Sequence, residues 1–225
     1  MGFVIALDGM SATGKHTLGL ALSEKYKLAY LDTGALYRAV AYYVLAGNKS
    51  PEDKEEVLEV VKKISLSELQ SLQNNPVIRT NEVSQATSVV ASIPEVRTAL
   101  LEFQRNFATF PVLANSKKAQ GALLDGRDIG TVICPDAPVK FFLVAREEIR
   151  ALRRFKELQS TQKDVILEDV LKAMQERDRR DSSREVAPAK PAEDAFILDT
   201  SDLTPNEVFT TACEYIEKSG YFKSP

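Results

Sequence analysis

Short, continuously apolar runs alternate along the chain with stretches of helical period. Four runs end on a carboxylate: Phe3 to Asp8, Leu28 to Asp32, Ala122 to Asp125 and Ala195 to Asp199; a fifth, Val139 to Ala145, does not. Unbroken apolarity, rather than apolar–polar alternation, suits strands of a parallel sheet whose two faces are both covered by helices. Helical periodicity follows between the runs, as from Leu18 to Tyr26 and from Val165 to Arg177. The alternation predicts an α/β fold: a five-stranded parallel sheet flanked by helices, with its chemistry at the C-terminal ends of the strands, where the carboxylates fall.

Two segments do not belong to that alternation. Between Gly47 and Gly121 there is no glycine, and the pattern predicts helices from Pro51 to Lys63, Leu66 to Leu72, Glu82 to Ala91 and Pro94 to Phe107. Pro51 and Pro94 stand at first-turn positions, where a missing N–H is harmless. This stretch reads as an insertion after the second strand, followed by a surface loop from Asn115 to Gln120. A second insertion, Arg146 to Arg184, predicts two charged helices, after which Ala187-Pro188-Ala189-Lys190-Pro191-Ala192 returns the chain in extended form.

Composition narrows the chemistry. The 225 residues carry 29 basic and 32 acidic side chains, a formal charge of −3, which gives no whole-chain attraction to nucleic acid or anionic lipid. No apolar run approaches the ~20 residues that span a bilayer, and the start predicts neither a signal peptide nor, with Ala6 at the sixth position, myristoylation. A cytoplasmic monomer is the expectation. Two isolated cysteines, Cys134 and Cys213, and a single histidine, His16, argue against a zinc site and against Ser-His-Asp or Cys-His catalysis. Eight of the 13 arginines crowd between Arg146 and Arg184, a density that suits a small, highly charged anion.

The segment Gly9-Met10-Ser11-Ala12-Thr13-Gly14-Lys15-His16-Thr17 follows the first strand and opens a helix. G-x-x-x-x-G-K in that context is a phosphate-binding loop: its glycines let successive N–H groups face one centre, and Lys15 adds a mobile positive charge. The hydroxyl that would reach Mg²⁺ is displaced by one place, to Thr17.

That loop with its displaced threonine is similar to those of the nucleoside monophosphate kinases. Leu31-Asp32-Thr33-Gly34-Ala35-Leu36-Tyr37-Arg38, Asp125-Gly126-Arg127-Asp128-Ile129-Gly130-Thr131, and Glu176 to Arg184 ahead of Ala187-Pro188 complete an ordered set. Together they resemble the bacterial cytidylate kinases over essentially the whole chain. The resemblance implies a P-loop core (1–37, 110–148 and 185–225), a mainly helical CMP-binding insert (38–109) and an arginine-rich lid (149–184). It implies transfer of the ATP γ-phosphoryl group to CMP and dCMP, with Mg²⁺ held by Thr17, through water with Asp125. A UMP kinase, or a nucleotide-binding protein without turnover, is the alternative.

Such a transfer needs two polyanions held in line and charge on the transferring oxygens neutralised. Lys15, Arg153, Arg177 and Arg184 are the candidates for that work, with Arg150, Arg179 and Arg180 read as structural. By resemblance, Ser88, Arg97, Asp128 and the adjacent Arg127 read the base, Thr33, Tyr37 and Arg38 grip the α-phosphate and base plane, and Asp181 meets the ribose. Asp125 ends its strand as a Walker B carboxylate does.

The chain departs from the family at three places. His16 and Ala12 replace loop glycines; Ala12 is strained if its φ is positive, and His16 reads as a surface substitution pointing away from phosphate. The small antiparallel sheet common in the insert reads as shortened or absent, with Ser65 to Asn75 helical or looped.

Overall fold

A computed structural model describes residues 3–73, 75–113, 117–160 and 164–220. The five apolar runs become β1 (Phe3–Gly9), β2 (Leu28–Asp32), β3 (Gly121–Gly126), β4 (Val139–Val144) and β5 (Phe196–Asp199). They form one parallel sheet in the order β2-β3-β1-β4-β5. Alternate residues of β1 enter different cores. Ile5 and Leu7 pack on Leu18 and Leu22 of α1 (Lys15–Tyr26) and on Val208, Ala212 and Ile216 of α9 (Pro205–Lys218), whereas Val4 and Ala6 join Ala108, Ile129 and Ile133 on the other face. Both faces are apolar, which is why the strand lacks alternation.

Register brings the carboxylates together. Asp32 lies beside Asp125 across the β2–β3 pair, and Asp8 of β1 pairs with Gly126, so all three reach the C-terminal edge. The sheet closes tightly there and at its opposite end. A Cβ on Gly9, whose φ is 146°, would lie 2.3 Å from the Leu143 carbonyl oxygen, and one on Gly121 would lie 2.0 Å from that of Phe3.

The glycine-free stretch is helical: α2 (Thr33–Ala46), α3 (Lys54–Lys63), α4 (Leu66–Ser71), a 3₁₀ turn (Pro76–Arg79), α5 (Asn81–Val90) and α6 (Pro94–Thr109). They share a core that includes Leu36, Val40, Val57, Ile78, Val90 and Leu100. Among the described residues, the insert contains no strand. Pro94 opens α6 as expected. Pro51 does not open α3, because the Asp53 carboxylate accepts the N–H groups of Glu55 and Glu56 and starts the helix there. In the expected surface loop, Asn115 and Ser116 lie outside the described residues, and the chain on either side meets in an antiparallel bridge between Val112 and Lys118.

After β4, α7 (Glu147–Gln159) and α8 (Leu167–Ser183) pair through a small core of Ala151, Leu158, Val170 and Met174. Arg150, buried, ties the pair to the phosphate loop, donating to Asp178 at 2.6 Å and to the carbonyls of Ala145 and Ser11.

Candidate active site

A cleft of about 830 Å³ opens above the C-terminal edge of the sheet, lined by the phosphate loop, the insert and the α7–α8 pair. Nine lysines and arginines face it against five carboxylates, so it is strongly cationic on an acidic chain. The surplus is local.

The phosphate loop is held from inside. Gly14, at φ 94°, caps α1 with no side-chain bond, leaving the first N–H groups of a 12-residue helix for an anion. Ala12 sits at φ 59°, the left-handed region that the sequence made conditional. Thr13 Oγ1 and Lys15 Nζ both donate to the Met10 carbonyl, at 2.9 and 2.8 Å, and Thr200 Oγ1 donates to the Thr13 carbonyl at 2.9 Å. Burial, with Arg127 nearby, pulls the Lys15 ammonium down to about 7 against the pull of Asp125 and Asp32. A bound polyphosphate would favour its charged form.

Three of the four strand-end carboxylates are drawn together on neighbouring strands, each differently engaged. Burial pushes Asp8 up to about 7, although it accepts the N–H groups of Ile129 and Gly130 at 2.9 and 2.8 Å. It thereby fastens the π-helical turn Ile129–Ile133 to β1. Asp32 accepts the Ala35 N–H at 3.1 Å; burial raises its pKa, but Arg38 and Arg79 outweigh that and hold it below the usual range. Burial raises the Asp125 pKa, and Tyr30 Oη donates to its Oδ2 at 3.1 Å. Burial and the Asp125 charge keep the Tyr30 phenol protonated, and His16 Nδ1 shares a hydrogen bond with the same oxygen at 2.9 Å. His16 is exposed as expected, yet it is chained through Tyr30 to the carboxylate.

Three of the cleft arginines are under-bonded. Arg38 Nη1 approaches Asp32 only to 3.5 Å, Arg177 Nε approaches Asp181 to 3.8 Å, and Arg184 Nη2 approaches Asp128 to 3.8 Å. All three nitrogens are buried and make no hydrogen bond. Burial pulls Arg177 down to about 9, opposed by Asp181 and reinforced by Arg127, Arg38 and Arg154. Such donors are what phosphate oxygens satisfy. Arg153 is instead engaged, donating to Thr200 Oγ1 and O at 3.0 and 2.5 Å.

Elsewhere in the wall, Arg97 and Asp128 form a buried hydrogen-bonded ion pair, with the guanidinium 5.4 Å from the centre of the Tyr37 ring. Arg97 Nη1 also donates to the Ala91 carbonyl at 3.2 Å. Arg127 Nε donates to Asp181 at 3.1 Å; burial raises the Asp181 pKa, but Arg127, Arg177 and Arg184 together hold it below the usual range. Ser88 lines the cleft with its oxygen bonded to Arg180.

The cleft thus brings together Ser11 to Thr17, Thr33, Tyr37, Arg38, Ser88, Arg97, Asp125, Arg127, Asp128, Arg153, Arg177, Asp181 and Arg184. Of the expected residues only Gly9 and Met10 stand back, Gly9 turning the chain beside β4 and Met10 supplying the carbonyl that Lys15 and Thr13 share. The sequence reading missed Arg79, which faces Asp32 at 3.6 Å, and Arg154, which donates to the Arg79 carbonyl and Ser84 Oγ at 3.2 Å. It missed Asp8 as the anchor of the turn after β3. It also missed the apolar wall of Leu203, Pro205, Val208 and Phe209, although Thr204-Pro205-Asn206-Glu207 spells a capping box.

Magnesium is tested by the oxygen donors present. Thr17 and two strand-end carboxylates, Asp125 and Asp32, line one cleft. That fits Mg²⁺, which favours one or two carboxylates together with nucleotide phosphates.

A model of the cytidylate kinase family matches residues 5–218. Cytidylate kinase of Rhodospirillum rubrum is 46% identical over 213 residues, covering 95% of this chain and 96% of its own. Cytidylate kinase of Methylocella silvestris is 43% identical over 216 residues, covering 96% and 94%. A crystal structure of an uncharacterized protein from Eubacterium ventriosum superposes with a TM-score of 0.52 at 14% identity over 97% of this chain and 99% of its own, a likeness of fold. With a match spanning nearly its whole length, the chain belongs to the cytidylate kinase family.

Proposed function

We propose that the chain phosphorylates CMP and dCMP from ATP, and that the observation carrying this reading is one cleft lined by both a phosphate loop and a buried Arg97–Asp128–Ser88 surface. ATP is the co-substrate. The loop N–H groups and Lys15 receive its phosphates. Thr17, and Asp125 through water, are the groups that would hold Mg²⁺, which when bound neutralises phosphate charge. Asp128 and Ser88 accept from the cytosine amino group while Arg97 donates to its N3 and O2. Tyr37 lies under the base plane, Thr33 and Arg38 meet the acceptor phosphate, and Asp181 meets the ribose.

Arg177 and Arg184 supply the charge that develops on the transferring oxygens. Their unpaired N–H groups are already in place, which lowers the reorganisation needed in the transition state. Arg153 remains a phosphate-contact candidate, released from Thr200 or acting beside it. Residues 38–109 serve as the CMP-binding unit and residues 149–184 as a lid that excludes water, the wrong acceptor. We read the enzyme as a cytoplasmic monomer working on free nucleotides. The charge of −3 gives no whole-chain attraction to nucleic acid or anionic lipid, and no described helix is long and apolar enough to cross a membrane.

The reading is tested by ADP formation with ATP, Mg²⁺ and CMP. A chelator should abolish turnover. Arg184→Ala should lower kcat by roughly 10²-fold or more with little change in ATP KM, and Lys15→Ala should damage both. Equal, mild effects of the two substitutions would contradict the assignment.

A further inference from the structure

Arg180 belongs to α8 and is absent from the lining of the substrate cleft, yet it reaches one of the residues in the cleft wall. It lines a separate cavity of about 520 Å³ between α5 and α8. From that side its Nε donates to Ser88 Oγ at 2.8 Å and its Nη2 to Gln85 Oε1 at 2.6 Å. Gln85 Nε2 closes the link by donating to the Ala173 carbonyl on α8 at 3.2 Å. Ser88 is 3% exposed, so its oxygen has few partners to choose from. Its own proton points back along α5 to the Gln85 carbonyl, 3.3 Å away.

A serine hydroxyl has one proton and two lone pairs. Arg180 takes one lone pair, and its positive charge turns the proton away. The Gln85 carbonyl receives that proton. What Ser88 has left for the cleft is a single lone pair. From this geometry we infer that Arg180 is a specificity-determining positioning residue: it fixes Ser88 as an acceptor, so the cleft favours a pyrimidine carrying an amino group over one carrying a carbonyl at the same position.

Cytosine presents the N4 amino donor there, and uracil presents the O4 acceptor. A Ser88 hydroxyl released from Arg180 can rotate its proton to O4 and serve either base. Because Arg180 is on α8 and Ser88 on α5, the setting of the hydroxyl depends on those two helices staying docked. The inference rests on the reading of this cleft as a cytidine site.

The experiment is steady-state kcat/KM for CMP and for UMP at saturating ATP, on the full chain. The variants are R180M, R180K, S88A and the double variant S88A/R180M. R180M and S88A should each lower the CMP-over-UMP preference about tenfold, and the double variant should lower it no further than either alone. R180K should recover part of the preference, since an ammonium can reach Ser88 Oγ but cannot bridge to Gln85 as the fork does. ATP KM should not move.

An R180M protein that loses CMP and UMP activity in equal proportion would overturn the inference, as would effects of S88A and R180M that multiply. If R180M fails to fold, R180K decides: a preference equal to that of the unsubstituted chain overturns the inference. If S88A leaves the preference unchanged while CMP remains the better acceptor, the inference falls and the cytidine reading survives. If UMP is the better acceptor of the unsubstituted chain, the cytidine reading itself falls.

Discussion

Ala12 holds a φ of 59° in the phosphate loop, where an L side chain crowds the following carbonyl at a cost of roughly 1–2 kcal/mol. Glycine removes that crowding but frees the unfolded chain, so Ala12→Gly should stabilise by about 1 kcal/mol, raising Tm by roughly 2–4 °C. An unchanged or lower Tm would mean that the strain is absorbed elsewhere. Lys15 carries a second kind of tension. Its ammonium is drawn down to about 7 by burial and by Arg127, against an ordinary value of 10.5. Between those values the unfolded chain binds more protons than the folded one, so stability from this group falls as pH drops from about 10.5 toward 7 and levels off below that. Comparing the chain with Lys15→Met isolates the effect. From pH 7 to 9 the stability difference should narrow in favour of the lysine by up to about 1.4 kcal/mol per pH unit. Parallel stability profiles for the two proteins would show that Lys15 titrates normally.

At the scale of elements, strand register does the placing. Asp32 beside Asp125, with Asp8 one strand over, follows from the pairing of β2, β3 and β1, and that pairing needs Gly121. A Cβ there would meet the Phe3 carbonyl at 2.0 Å, so Gly121→Ala should cost about 2–3 kcal/mol, measured by urea unfolding. A cost below about 0.5 kcal/mol would show that β1 and β3 can part without loss. The strands themselves were legible, because two covered faces leave an unbroken apolar run. A side-chain hydrogen bond across the sheet leaves no such mark: nothing in Tyr30 as a residue of an apolar strand announces that its phenol joins His16 to Asp125.

The same distinction explains which site residues were visible. Lys15, Arg38, Asp125 and Arg184 belong to compact blocks whose order points to phosphate chemistry, and they line the cleft together. Arg79 and Arg154 sit outside those blocks, 75 residues apart, and meet only because α7 packs near the turn before α5. Pro51 misled for a local reason: proline suits a first helical turn, but Asp53 offers a carboxylate to two N–H groups and takes the helix start from it.

Across the whole molecule, charge is segregated rather than abundant. A chain of formal charge −3 gathers nine cations around one cleft, several of them buried with N–H groups unspent. Burying such groups without partners costs stability, and that cost is intelligible if two phosphate-bearing nucleotides complete the set. Arginines from the insert, the strand edge and α8 all take part, so the completed site depends on three parts of the fold meeting at once.

The most direct measurement of the central claim is kcat/KM for CMP, dCMP, UMP and AMP with ATP and Mg²⁺, alongside a control without acceptor. The cleft described here predicts turnover confined largely to CMP and dCMP, with UMP lower by very roughly 10⁴-fold where the wrong base leaves Arg97, Asp128 and Ser88 mismatched. Equal turnover of UMP, or ATP binding with no acceptor turned over, would contradict it.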